Sequence, residues 1–176
     1  MKKILLVAGA ALALAGCGEK GEFEKAINAK IGQDKYCFSL DNNNTSFPIR
    51  LAKPRLDSTG TGTNSVILDG FIEQGMMVFE QGYDSNVLGI TEEGKKAKVW
   101  STTDGACVGR RAVDEIKEWT EPGNGNQKVV RVTYTWKLVD VPGWIDKKAF
   151  ASVKGMNEPA DGAMNLVKTS NGWKAN

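Results

Sequence analysis

The sequence predicts an α+β fold in a single small domain, with N-terminal helices, a helix-and-hairpin unit, a long antiparallel β-hairpin and a C-terminal strand. Apolar residues recur at helical spacing in the N-terminal half, and they alternate with polar residues between Lys128 and Val139. Residues 22–176 are enough for one domain with a real core, and we find no internal repeat or second domain boundary.

The N-terminus has the pattern of an export signal. Met1-Lys2-Lys3 forms a basic end, and the apolar run that follows is shorter than the roughly 20 residues of a membrane span. The run ends in Leu14-Ala15-Gly16-Cys17, which resembles the lipobox of bacterial lipoproteins. This resemblance implies a removed signal peptide over residues 1–16, a lipidated tether over residues 17–21, and acyl chains such as palmitate on Cys17.

The residue after the cysteine bears on localisation. Gly18 is not the aspartate that retains lipoproteins in the inner membrane of Gram-negative bacteria. The resemblance therefore implies a lipid anchor in the outer membrane, with the domain facing the periplasm. Acyl chains bind at about 0.8 kcal/mol per buried methylene, so several chains anchor the protein durably.

The charge of the mature domain is balanced. The full chain has 23 Lys and Arg against 21 Asp and Glu, and removal of Lys2 and Lys3 leaves 21 against 21. No bulk basic field favours nucleic acid, so we expect no nucleic-acid partner.

Two cysteines remain after Cys17. In an oxidising compartment Cys37 and Cys107 pair by default, which predicts a structural disulfide. A redox or nucleophilic pair is the alternative, although the chain has neither CxxC spacing nor a histidine to activate a thiolate.

The first elements follow from local spacing. Phe23, Ile27 and Ile31 recur every fourth residue, which predicts a short amphipathic helix over Glu22–Ile31 that ends at Gly32. Alternation over Tyr36–Leu40 predicts a strand, and Phe47–Leu51 predicts another.

The next segment predicts a helix, a hairpin and a second helix. The first helix begins at Asn64 or Ser65 and ends at Gly75; strands follow over Met76–Glu80 and Val87–Ile90, and Thr91 caps the last helix. Residues 65–99 resemble the last helix and wing of winged-helix domains, on the glycine after the helix and the Thr-Glu-Glu-Gly after the wing. A plain helix–hairpin–helix gives the same pattern. Winged-helix domains commonly bind DNA, but this chain is predicted to be exported and has a balanced charge. We therefore expect the wing to bind a protein.

The C-terminal half predicts strands. Cys107–Trp119 and Lys128–Val139 form a long hairpin around the loop Glu121–Asn126, with Arg131, Thr133, Thr135 and Lys137 on its wetter face. Ala163–Val167, a turn at Ser170-Asn171-Gly172, and Trp173 predict the closing strand.

We find no recognisable catalytic set, and we expect no cofactor or metal. The chain has no histidine, which excludes Ser-His-Asp, Cys-His and HExxH sites. Asp41-x-Asn43-x-Thr45 lacks the later residues of a calcium loop and reads as a solvated turn. The only carboxylate pair worth weighing, as in a glycosidase, lies among Asp114, Glu115, Glu118 and Glu121.

The sequence therefore predicts a non-enzymatic lipoprotein that binds an envelope protein. Exposed aromatics serve as anchors in interfaces, so we expect the contact surface at the wing turn or the hairpin loop. The candidate residues are Tyr83, Asp84, Asn86, Trp119, Glu121, Asn124 and Trp144. An inhibitor of a peptidoglycan hydrolase such as lysozyme is the alternative, and a glycan-acting enzyme is the third hypothesis.

Overall fold

The computed structural model describes residues 15–40, 46–52, 63–83, 85–120 and 128–176. These residues form a mostly β structure around a curled, five-stranded antiparallel half-barrel. The predicted α+β, helix-led arrangement is therefore wrong. The prediction treated the helices of the N-terminal half as the basis of the fold. In the structure, long-range pairing of the C-terminal strands builds the main sheet.

The main sheet has five strands: β1 (Lys35–Phe38), β5 (Ala106–Trp119), β6 (Val129–Val139), β7 (Ala160–Thr169) and β8 (Gly172–Ala175). They lie in the order β1-β5-β6-β7-β8, and every neighbouring pair is antiparallel. The predicted hairpin is β5 with β6, and the predicted closing strand and turn are β7 and β8. Two register shifts in β5, between Val113 and Glu115 and between Ile116 and Glu118, bend the strand.

The N-terminal helix α1 (Ala15–Ile31) lies against the buried face of this sheet. The apolar residues at every fourth position face the sheet, because Phe23 is 1% exposed, Ile27 is 0% and Ile31 is 5%. The helix begins before Glu22, so the residues predicted as a tether are helical. Its contacts are with β5, β7 and β8.

A second sheet is inserted between β1 and β5. It contains β2 (Ile49–Ala52), β3 (Met77–Gln81) and β4 (Ser85–Ile90) in the order β2-β4-β3, with α2 (Thr63–Glu73) before β3 and α3 (Glu92–Ala97) after β4. The predicted helix, hairpin and capped helix are present, but nothing supports a winged-helix domain. The reason is that this local order is an insertion into a β fold, and β2 pairs with the strand predicted as the second wing strand.

Residues 140–159 form a turn-rich segment that connects β6 to β7. Phe150, Val153 and Met156 of this segment are buried. The Phe150 ring lies directly over Gly70 of α2, where any side chain would clash with it. The segment thus joins the inserted layer to the main sheet.

The polar face of the predicted hairpin needs one correction. Arg131 and Lys137 are exposed and Thr133 is half-buried, but Thr135 is only 8% exposed. Thr135 lies opposite Glu115 on one side and Asp161 on the other, and these neighbouring strands cover it.

Candidate interaction surface

The β3–β4 hairpin carries the most exposed aromatic side chain among the described residues. Tyr83 lies in the connection between the strands and is 94% exposed. Gly82 donates a backbone hydrogen bond to the Ser85 carbonyl at 3.0 Å, which closes the turn. A tyrosine in this position offers a large apolar ring and a hydroxyl at little cost in conformational entropy.

The outward face of the second sheet continues this surface. Val78 is 40% exposed, and Val87 lies between Arg50 and Glu80 in a single cross-strand row. Arg50 also donates a hydrogen bond to the Ser85 hydroxyl at 3.4 Å. We call Arg50, Val78, Glu80, Tyr83 and Val87 the hairpin surface: a small apolar strip flanked by one positive and one negative charge.

The opposite face of the same hairpin is core. Met77 is 2% exposed and Leu88 is 0% exposed, and Phe79 packs against the same cluster. Alternation along the strands therefore fixes which side chains face outward.

Thr91 caps α3, as predicted, and it also holds the base of the hairpin in place. The Thr91 hydroxyl accepts a hydrogen bond from the Gly94 amide at 3.1 Å and donates to the Gly75 carbonyl at 2.7 Å. Its backbone amide also donates to the Met76 carbonyl at 3.1 Å. The two ends of the hairpin are thus tied together, and the surface is presented on a rigid base.

The predicted surface residues that the structure describes lie on three parts of the fold: Tyr83 and Asn86 on the β3–β4 hairpin, Trp119 at the end of β5, and Trp144 between β6 and β7. Asn86 is 8% exposed, on the inward face of β4, so its side chain contributes little to any contact surface. The Trp119 ring packs edge-on against Phe23 at 5.4 Å, and the Trp144 ring lies 5.8 Å from Phe71. Three predicted surface residues, Asp84, Glu121 and Asn124, lie outside the described residues.

The acidic residues of the long hairpin lie beside lysines. Asp114 contacts Lys137 at 2.8 Å, and Glu115 contacts Lys117 at 2.5 Å. The hydrogen bond that Lys117 donates to the Glu115 carboxylate is the main reason that the pKa of Lys117 is raised. Both pairs are solvent-exposed on the outer face of the sheet, where such pairs contribute little to stability. Across the ranges that the structure describes, no group of three or more His, Cys, Asp or Glu side chains is placed to hold a metal ion.

Arg111 is a feature that the sequence analysis missed. Its guanidinium lies 5.9 Å from the centre of the Tyr36 ring and 5.8 Å from the centre of the Trp136 ring, a cation–π arrangement. Its Nε atom is buried without a hydrogen-bond partner. The pKa of nearby Tyr134 is raised by burial, although the charge of Arg111 opposes the shift. The sequence could have revealed Arg111 only as a basic residue at an inward-facing position of β5. The β-bulges of β5 interrupt the alternation that would identify such a position.

The predicted disulfide between Cys37 and Cys107 is present. It joins β1 to β5, where these residues are also register partners. An ion pair at 2.7 Å also joins Lys35 of β1 to Asp104 in the turn before β5, and the hydrogen bond that Lys35 donates lowers the pKa of Asp104.

Comparison with known proteins finds a match at the N-terminus. Residues 1–17 match the family model of the prokaryotic membrane lipoprotein lipid attachment site. The match supports a membrane-anchored lipoprotein with its lipid on Cys17. No curated protein and no solved structure matches the chain. Within the described residues, every helix is too short or too polar to span a bilayer.

Proposed function

We propose that this protein is an outer-membrane lipoprotein that faces the periplasm and works there as a non-catalytic binding module. Its hairpin surface contacts a protein of the cell envelope. The observation that carries the proposal is the 94% exposure of Tyr83 on a hairpin whose base is tied by Thr91. Other aromatics considered for this role, Trp119 and Trp144, pack against the core.

The chemistry of the hairpin surface suits a protein partner. A tyrosine with a neighbouring apolar strip is a common centre of a binding hot spot, and the charges of Arg50 and Glu80 suit a polar rim. The chain contains no histidine, which excludes Ser-His-Asp, Cys-His and HExxH sites and so favours binding over the catalysis that depends on such sites. The choice of the outer membrane rests on Gly18 after the lipidated cysteine.

A capture experiment with matched variants tests the proposal. The bait is the domain from Gly18 onward, immobilised and exposed to envelope extract and to lysozyme. The test variant is Tyr83→Ser, and the control is Val129→Ser, a second apolar residue that is 40% exposed but lies on the main sheet. We expect saturable capture by the original chain and by V129S, and at least about tenfold weaker capture by Y83S, as for a hot spot of roughly 1.4 kcal/mol or more.

Each outcome discriminates. Capture of lysozyme that depends on Tyr83 selects the inhibitor alternative, with protection against lysis as the follow-up assay. Equal capture by Y83S and the original chain would reject the hairpin surface. Recovery of the bait alone would reject a protein partner in these sources and shift attention to glycans.

A further inference from the structure

We infer that α1 is a short rigid spacer between the lipid and the domain, so that one end of the domain lies on the phospholipid headgroups. The inserted sheet with the hairpin surface then points away from the membrane. This inference uses the lipid attachment site and the fold, and it does not depend on the identity of any binding partner.

The first step concerns the distance between the lipid and the core. Cys17 lies in the first turn of α1, and Phe23 of the same helix is 1% exposed. Six residues of helix rise about 9 Å, and the same residues fully extended reach only about 21 Å. The acyl chains therefore hold Phe23 close to the bilayer surface, even when the first turn unwinds.

The second step identifies what surrounds Phe23. Its ring packs edge-on against Trp119 at 5.4 Å and Trp173 at 5.2 Å. Lys168 forms an ion pair with Glu22 at 3.0 Å, and its ammonium lies 5.1 Å from the Trp173 ring. These contacts place the end of β5 and the β7–β8 turn beside the start of α1.

The start of β6 lies at this same end. Val129 is 40% exposed and pairs with Val167 of β7, and the Lys168 amide donates to the Lys128 carbonyl at 2.9 Å. We call Glu22, Lys128, Val129 and residues 168–171 the anchor-side rim. Its lysines suit lipid phosphates and Val129 suits the interface, but Glu22 offsets part of this charge, so the acyl chains supply most of the membrane affinity.

The third step places the inserted sheet at the other end. Ala106 begins β5 and Trp119 ends it, and the 13 steps between these residues span roughly 43 Å at about 3.3 Å each before curvature. The insertion leaves the main sheet after Phe38 and returns at Ala106, which are register partners. The second sheet is thus attached at the end of β5 remote from the lipid.

The helix α1 is fixed to the domain along its length, so it acts as a rigid spacer and not as a flexible tether. Phe23 is held by two tryptophan rings, and Asn28 accepts a hydrogen bond from the Val113 amide at 2.8 Å. Ile31, at the end of the helix, is 5% exposed. The orientation of α1 therefore sets the orientation of the domain on the membrane.

Energy transfer from two matched labels tests the inference on the full, lipidated protein. The protein is reconstituted in vesicles of phosphatidylethanolamine and phosphatidylglycerol that carry an acceptor dye on the headgroups. Donors are placed at Ser170→Cys, in the exposed β7–β8 turn, and at Thr102→Cys, in the exposed turn before β5. The native cysteines do not react, because Cys17 is lipidated and Cys37 is bonded to Cys107. An unchanged urea midpoint confirms that each labelled chain is folded.

We expect transfer from position 170 to be at least about twofold more efficient than from position 102, because the helical spacer is short relative to β5. Equal transfer from both positions, or higher transfer from position 102, would overturn the inference. A ten-residue Gly-Ser linker inserted between Gly21 and Glu22 is the control. It reaches a root-mean-square span of about 17 Å and should bring the ratio toward one. A ratio unchanged by the linker would overturn the spacer role of α1.

Discussion

The side-chain oxygen of Asn28 accepts a hydrogen bond from the backbone amide of Val113 at 2.8 Å, where β1 no longer pairs with β5. The helix thus satisfies a strand amide that has no partner from β1 at this point. This contact and the Phe23–Trp119 contact connect the anchored helix to the sheet that carries the rest of the fold.

Replacement of Asn28 tests the importance of this contact. Asn28→Ala leaves the partly buried Val113 amide without its acceptor, and we expect a loss of about 1–2 kcal/mol in the free energy of unfolding. Urea unfolding of the domain from Gly18 onward measures it. Asn28→Asp keeps an acceptor of the same shape and is the control; an equal loss in both variants would contradict the role of the hydrogen bond.

Gly155 and Gly75 form a matched pair for a packing prediction. Both have positive φ, but a Cβ at Gly155 would lie 2.5 Å from the Trp136 ring, whereas Gly75 faces open space. Gly75→Ala carries the backbone cost alone, about 1 kcal/mol, and Gly155→Ala adds a clash of roughly 1–3 kcal/mol. Urea midpoints of the two variants test this, and equal destabilisation would show that the Trp136 contact is unimportant.

The disulfide should contribute strongly to stability. Cys37 and Cys107 are separated by 70 residues, and closing a loop of this size is worth about 4 kcal/mol in the chain-entropy model. We expect the double variant Cys37→Ala with Cys107→Ala to lose a large part of this value on urea unfolding. A midpoint equal to that of the oxidised chain would contradict the prediction.

Tyr134 should titrate above an ordinary tyrosine, because burial raises its pKa. Spectrophotometric titration at alkaline pH should show a late ionisation step in the folded chain, and this step should vanish in Tyr134→Phe. The folded pKa exceeds the unfolded pKa of about 10, so Tyr134 contributes stability that is full below pH 10 and is lost as pH rises through the folded pKa. Absence of the late step from the original chain, or its persistence in Tyr134→Phe, would contradict the burial argument.

The sequence was sufficient for elements that depend on near neighbours. The apolar spacing of Phe23, Ile27 and Ile31 predicted the buried face of α1, and strict alternation predicted β6 and its pairing with β5. The Thr91 cap was equally local. Each of these signals lies within a few residues, where periodicity and capping chemistry decide the structure.

The architecture was not predictable, because it depends on contacts between distant residues. The pairing of β1 with β5 joins strands that are separated in the chain by the whole insertion. A helix followed by a hairpin occurs in many folds, so the likeness to a winged helix was misleading. Contacts between distant residues also explain why the candidate surface was only partly predicted. Trp119 and Trp144 lie beside turns, but their partners Phe23 and Phe71 are far away in the chain, and only the fold shows that both rings are packed. Among the aromatics considered, Tyr83 is 94% exposed, whereas Trp119 and Trp144 are half-buried.

Photo-crosslinking in living cells is the most direct measurement of the central claim that the hairpin surface contacts an envelope protein. A photoreactive phenylalanine replaces Tyr83 in one strain and the exposed Thr102 in another, both in the full lipidated chain. We predict a discrete crosslinked protein band from position 83 that is absent from position 102. No band from position 83, or the same band from both positions, would contradict the account.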